Sequence, residues 1–258
     1  MLTPGYDAAT RLLLIEPPPM PDIPDAPTRE QALDALALLE SLLVDFPFVD
    51  EVAKSVALSA LISPVVRGAF AHAPMPALTA PVAGSGKSYL LDVVAAISSG
   101  QYMPVISASP KEEELEKRLG AAAIAGQPLI SIDNLNGELR GDLLCQLVER
   151  PVVYVRPLGL SKLVRVEPRA MSFFADGNNL VVAGDMTRRS LLMQMDPKEE
   201  EPELREFSGK PFETVLADRG KFVAACLTLC RAYCVAGRPG RASRWRRSRA
   251  GRIPFGRH

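Results

Sequence analysis

The residues best placed to do chemistry in this 258-residue chain are Gly84-Ser85-Gly86-Lys87-Ser88. Two glycines two positions apart let a backbone turn its amide hydrogens inward, where a side chain would block an anion. The lysine that follows is a point charge able to reach the β and γ oxygens of a polyphosphate, and the serine hydroxyl after it can ligate Mg²⁺. A short apolar run, residues 75–80, precedes the loop, and an apolar, helix-spaced run, residues 89–97, follows it. Strand, glycine loop, helix is the order in which such a loop binds phosphate, with the helix N-terminus adding partial positive charge. Ala83, Gly84, Ser85, Gly86, Lys87, Ser88 and Tyr89 are therefore the candidate nucleotide contacts. The pattern G-x-x-x-x-G-K-[ST] has glycine at its first position, whereas this chain has Pro81, which stiffens the approach to the loop. The bland alternative is a Gly/Ser turn ending in a surface lysine.

A nucleotide site needs further partners. Pro128-Leu129-Ile130-Ser131-Ile132-Asp133 reads as an apolar strand ending in a carboxylate, 46 residues after Lys87. A carboxylate there can hold Mg²⁺ directly or through water; otherwise Asp133 merely caps the next segment. The following residue, where hydrolytic ring ATPases usually carry glutamate, is Asn134. It can orient water but is a poor base, so turnover is slow, or Glu138 helps, or the site mainly binds. Asn178 and Asn179 end another apolar stretch, 171–175, and are candidates to sense a γ-phosphate; Gly-Asn-Asn is also good turn chemistry. Arg188 and Arg189 are candidates to stabilise the charge of phosphoryl transfer across a subunit interface, or else a surface pair bound to Asp185 or Asp196.

The elements that must position these residues alternate. Residues 1–28 hold seven prolines and read as an extended arm or linker. A helical segment, 29–73, follows: Thr28 caps its first helix with Gln31 three residues on, Phe46-Pro47-Phe48 breaks it, and a second helix from about 50 to 70 is interrupted at Pro64. Over 74–237 come the first strand, the loop helix, a strand at 103–107, and a helix capped by Ser109 with Pro110 first. Next are the Asp133 strand, a helix from about Glu138 to Glu149, and a strand at 152–155. One or two strands lie within 161–179 and another at 190–195; a charge run, 198–206, precedes a last helix over 214–235. With the glycine loop, this predicts an α/β fold, a P-loop NTPase, with a mostly parallel sheet flanked by helices.

The hydrophobic fraction of 47% suits a globular core, and no apolar run reaches membrane-spanning length or forms a signal peptide. The expectation is a cytoplasmic protein with no membrane partner. Cys226, Cys230 and Cys234 recur every four residues and read, with Cys145, as thiols of a core stripe; without nearby histidine, zinc is not expected. Net charge is zero, but residues 238–258 hold eight arginines and no acid, leaving 22 basic and 30 acidic residues in 1–237. That tail reads as a basic arm for nucleic acid, with Trp245 able to stack on a base, or as a non-native end produced by truncation or a frame shift. With the abrupt start Pro4-Gly5-Tyr6-Asp7, it suggests a fragment of a larger gene product.

The series APVAGSGKS, LISIDNLNG and FFADGNNLVVAGDMTRR resembles the helicase-type ATPase domain of phage- and prophage-encoded primase–helicase proteins, within the broad superfamily 3 and AAA+ group. The likeness extends upstream to PGYD and DFPF and downstream to RAYCVAG, roughly residues 4–237. It implies ATP and Mg²⁺ as cofactors. It also implies that Lys87 and Ser88 bind phosphates and metal, that Asp133 holds Mg²⁺, that Asn178 or Asn179 senses the γ-phosphate, and that Arg188 or Arg189 is the arginine finger. The expected protein is an ATP-hydrolysing DNA-replication helicase motor acting on single-stranded or forked DNA as a homo-oligomer, possible forms including a hexameric ring. The rivals are a slow ATP-dependent switch or assembly module and a truncated remnant of such a helicase.

Overall fold

The structure is a computed structural model that describes residues 4–8, 12–15, 17–198 and 208–239. Strands β1 (Gly5–Asp7) and β2 (Leu12–Leu14) pair antiparallel. At Thr28 the hydroxyl accepts from the Gln31 amide (3.2 Å) while the Gln31 side chain accepts from the Thr28 amide (2.9 Å). This reciprocal cap opens α1 (Arg29–Ser41). Asp50 caps α2 (Glu51–Ile62), accepting from Ala53 N at 2.8 Å. Helix α2 stops ahead of Pro64, the expected interruption: Ser63 is still helical (φ −57°, ψ −43°), but proline has no amide hydrogen to carry the helical ladder on.

Strand β3 (Met75–Ala80) is buried along its whole length, as a strand covered on both faces must be. The glycine loop leads into α3 (Lys87–Ser99). Then come β4 (Val105–Ser107), α4 (Glu112–Ile124), β5 (Leu129–Asp133), β6 (Glu138–Leu139) and α5 (Asp142–Glu149). The rest comprises a β7 (Val153–Val155)/β8 (Val164–Val166) hairpin, β9 (Ser172–Asn178), β10 (Val181–Val182), β11 (Ser190–Gln194), α6 (Pro211–Ala217) and α7 (Arg219–Val235).

Five strands form a wholly parallel sheet in the order β11–β3–β9–β5–β4. Strand β9 lies between β3 and β5, so the C-terminal ends of all three, at Ala80, Asp133 and Asn178, fall at one edge of the sheet. Helices cover both faces. Leu39, Leu61, Leu90, Phe174 and Cys226 belong to the core under α1, α2, α3 and α7. Leu119, Ile130, Ile132, Leu147 and Phe173 belong to the core under α4 and α5. Adjacent Phe173 and Phe174 divide between the two, as successive strand residues do. The α/β architecture expected from the alternation is the one observed.

Four local expectations differ. Ser109 does not cap α4: its hydroxyl accepts from Lys111 N at 3.2 Å in a turn of its own, and the helix starts at Glu112. Glu138 begins not a helix but β6, which pairs with β10 until Gly141, at φ 134°, releases the chain into α5. The last helix breaks at Asp218, after which Arg219 reaches back to the end of α3, donating to Ile97 O (3.0 Å) and Ser98 O (2.8 Å). Of the cysteine stripe only Cys226 is buried; Cys230 is half-buried and Cys234 exposed, because α7 rises out of the core along its length.

The segment before α1 lies on α7, where Arg231 Nη1 donates to Ile23 O and Pro24 O, both at 3.0 Å. Most of the charge run and nearly all of the basic tail, Trp245 included, lie outside the described residues. Among the described residues, no helix is long and apolar enough to cross a membrane.

Candidate nucleotide site

The loop after β3 turns through two left-handed glycines, Gly84 at φ 72° and Gly86 at φ 88°. An L side chain at either would cost about 1–2 kcal/mol. Gly86 is also the N-cap of α3, whose first amides have no partner within the helix and face the loop. Lys87 folds beneath this turn and is buried. Its Nζ donates to Asn178 Oδ1 at 2.8 Å, Ser85 Oγ at 2.9 Å and Val82 O at 3.4 Å. Burial pulls the lysine pKa down, while Asp176 and Asp133 work in the other direction.

Strand β9 supplies the floor. Phe174, Asp176 and Asn178 alternate onto one face, and Phe174 is anchored in the core under α3. Asp176 and Asn178 therefore project beneath the first turn of α3. Asp176 is 3% exposed. Its Oδ2 accepts from the exposed Ser88 hydroxyl at 3.3 Å, while Oδ1 is buried with no hydrogen-bond partner among the described residues. Burial, and next the nearby Asp133, raise its pKa to about 6, against the Ser88 bond and Lys87. Asp133 is half-buried at the end of β5, one residue beyond the Ile132–Ala175 pairing, which sets it beside Asp176.

The two asparagines divide: the side chain of Asn178, the last residue of β9, accepts from Lys87, while Asn179 just beyond the strand takes a left-handed turn (φ 54°) and its backbone amide donates to Ala80 O at 3.0 Å. Asn134 is also left-handed, at φ 57°, a conformation that asparagine tolerates and glutamate resists. Behind it the chain crosses β9, with Leu135 N donating to Asp176 O at 2.9 Å. A Cβ on Gly177 would lie 1.9 Å from Leu135 O, so this crossing requires glycine. Glu138 is exposed and paired with Arg140 at 3.2 Å. Tyr89 turns its hydroxyl to Glu213 of α6 at 3.3 Å. Ala83 is exposed at the loop tip.

Arg188 and Arg189 are not brought to this cluster. Arg189 O accepts from Met75 N at 2.7 Å, at the start of β3; the loop begins at the other end of that strand, roughly 17 Å away at about 3.3 Å per residue. Arg189, with a side chain 14% exposed, is ion-paired with Glu149 and Asp185. Burial works against its charge, and the Glu149 carboxylate more than restores it. Arg188 is 61% exposed and paired with Asp185 at 2.6 Å.

Lys87, Ser88, Asp133 and Asn178 thus lie together, and Asp176, not among the sequence candidates, lies with them. Its signal is only a phase, two residues after Phe174 and two before Asn178, and it counts once β9 is seen to run on through Asn178. The set suits a polyphosphate with Mg²⁺. Hydroxyl and carboxylate oxygens are the donors that cation takes, and the unpartnered Asp176 Oδ1 is one of them. Among the described residues no three His, Cys, Asp or Glu side chains gather as a metal site, so phosphate and water oxygens would complete the coordination.

No protein-family model matches the chain, and no curated protein matches it. Solved structures do. The apo A form of the NrS-1 C-terminal region is 14% identical, with a TM-score of 0.49, over 88% of this chain and 50% of that one. The JCV helicase is 14% identical, with a TM-score of 0.41, over 78% and 54%. NtrX from Brucella abortus, in complex with ADP, is 13% identical, with a TM-score of 0.34, over 83% and 56%. The chain spans about half the length of each. Any reading of activity therefore rests on the site's own geometry.

Proposed function

We propose that this chain is an ATP-binding motor domain that hydrolyses ATP with Mg²⁺ and acts on single-stranded or forked DNA as a homo-oligomer, within a replication protein of a mobile element. The observation that carries the reading is the meeting of Lys87, Ser88, Asp133 and Asn178 at the ends of three adjacent parallel strands, under a loop with two left-handed glycines. Loop amides and Lys87 receive the phosphates, the lysine exchanging its neutral oxygen partners for charged ones. Asn178, released from Lys87, is positioned to donate to a γ-phosphate oxygen or orient water. Ser88 and Asp133 would hold Mg²⁺, which when bound offsets charge on the β and γ oxygens. Arg188, in an exposed pair with Asp185 at the opposite end of the sheet, suits a finger for a neighbouring copy better than Arg189, which is largely buried between Glu149 and Asp185.

The DNA partner draws support from the β7–β8 hairpin. Val153, Val155 and Val166 anchor it in the core, while Tyr154 (60% exposed), Leu158 and the basic Arg156, Lys162 and Arg165 stand in solvent. Basic groups for phosphates beside an aromatic face for a base are what single strands use.

The test is steady-state ATP hydrolysis with Mg²⁺, with and without single-stranded DNA, using Lys87→Ala as the blank. DNA-stimulated turnover above the blank is the expected result; no nucleotide binding at all would overturn the reading. A second reading, a slow switch, is favoured by Asn134, whose left-handed backbone disfavours the glutamate that would polarise water. Nucleotide binding without turnover would select it.

A further inference from the structure

Asp176 does work that a structural residue would not need. Bonding the Ser88 hydroxyl and bridging the strand could be done by a neutral asparagine of the same shape. A carboxylate buried with one oxygen unpaired is destabilising unless a cation meets it. The natural candidate within the chain is Lys87, yet its ammonium donates to Ser85, Asn178 and Val82. Asp133, the nearest other charged group on β5, is a second negative charge, which makes the need for a cation greater. The cluster also has direction: Asp176 Oδ2 sits on Ser88 Oγ at 3.3 Å, and the buried Oδ1 belongs to the same carboxyl group.

We propose that Asp176 is a metal-binding carboxylate of this site, holding a divalent cation together with Ser88 and Asp133. The cation is hard and oxygen-seeking, of the Mg²⁺ or Mn²⁺ class, and the phosphates of the bound nucleotide complete its shell. Asp176 of β9 bonds the Ser88 hydroxyl and Asp133 ends the neighbouring strand β5 beside Asp176, so the cation binds across two strands. Metal occupancy is thereby tied to the position of β9, which also carries Asn178. The inference rests on the nucleotide reading above.

The experiment measures affinity for the fluorescent analogue mant-ADP, first with EDTA and then with Mg²⁺, and counts bound Mn²⁺ by electron paramagnetic resonance with ADP present. It compares wild type, Asp176→Asn, Asp176→Ala, Asp133→Asn and Lys87→Ala, each checked by thermal melting. The expected result is that both Asp176 variants bind metal-free mant-ADP as well as wild type or better, since a negative charge near the phosphates has gone. Their gain in affinity on adding Mg²⁺ should shrink at least tenfold, and Mn²⁺ binding should weaken in parallel, as in Asp133→Asn. A folded Asp176→Asn with wild-type Mg²⁺ gain and wild-type Mn²⁺ affinity overturns this inference alone. A wild type that binds no mant-ADP, or a Lys87→Ala that binds it unchanged, overturns the nucleotide reading and this inference with it.

Discussion

The two ends of the parallel sheet carry charge in opposite ways. At the end where β3 begins, Arg189 closes on Glu149 and Asp185, and Arg188 on Asp185. At the end where β3 finishes, Lys87 donates only to neutral oxygens, and Asp176 is buried with an oxygen unpartnered among the described residues. Matched charges hold a shape. Unmatched buried ones cost several kcal/mol and persist where a ligand compensates or strain is part of a mechanism. The difference between the ends locates a site without reference to any motif.

The largest expected effect breaks the unmatched end outright. Lys87→Ala removes the cation beneath the loop, and nucleotide affinity should fall by at least ~100-fold, or about 2.7 kcal/mol. Isothermal titration with ADP checks it, and a loss under tenfold would mean that Lys87 only braces the loop and is no phosphate ligand.

The next prediction concerns pH. Asp176 ionises at about 6 in the folded chain, against an ordinary value of 3.8. Between those values the folded state keeps a proton that the unfolded chain releases, so stability falls as pH rises through the window, and the full penalty remains above it. Asp176→Asn does not titrate. Without nucleotide or metal, its stability relative to wild type should therefore rise from near zero at pH 4 to about 2 kcal/mol at pH 7.5, allowing for the support that Lys87 loses. Urea unfolding across that range measures it; a variant less stable than wild type at pH 7.5 would show that Asp176 is compensated within the chain.

Much of this contrast was legible in the sequence at one end and little at the other. The loop declares itself because glycine spacing, lysine and hydroxyl are each demanded by local geometry. Asp133 and Asn178 follow because a carboxylate or amide closing an apolar run must lie at a strand end. Asp176 was hidden: it falls between the apolar residues 171–175 and the asparagines, and only the course of β9 through Asn178 makes it a buried strand position. Asn134 was legible as a missing glutamate but not as a left-handed residue, because φ at that point is set by the crossing of 135 over Gly177. Glu149, the partner of Arg189, lies 40 residues away in sequence and on another element, and no local pattern announces such a pair. The breaks in the last helix and before α5 escaped for the same reason, since a tertiary contact decides each of them.

The smallest expected change in stability sharpens the contrast at the matched end, where the two arginines differ in what holds them. Arg189→Ala removes the guanidinium that pairs with Glu149, itself only 28% exposed. A pair intermediate between surface and core should cost about 1–3 kcal/mol when broken. Arg188, mostly in solvent, should cost no more than ~0.5 kcal/mol on truncation. If Arg188 serves a neighbouring copy, its alanine variant keeps wild-type melting and wild-type nucleotide affinity yet loses turnover, and mixing it with Lys87→Ala restores part of that activity, because a ring can then pair an intact loop with an intact arginine across an interface. Arg189→Ala should instead lose stability first. Were Arg189→Ala to melt like wild type and abolish turnover, the ion pair would be a resting place for the finger, and the matched end would be a second half of the active site.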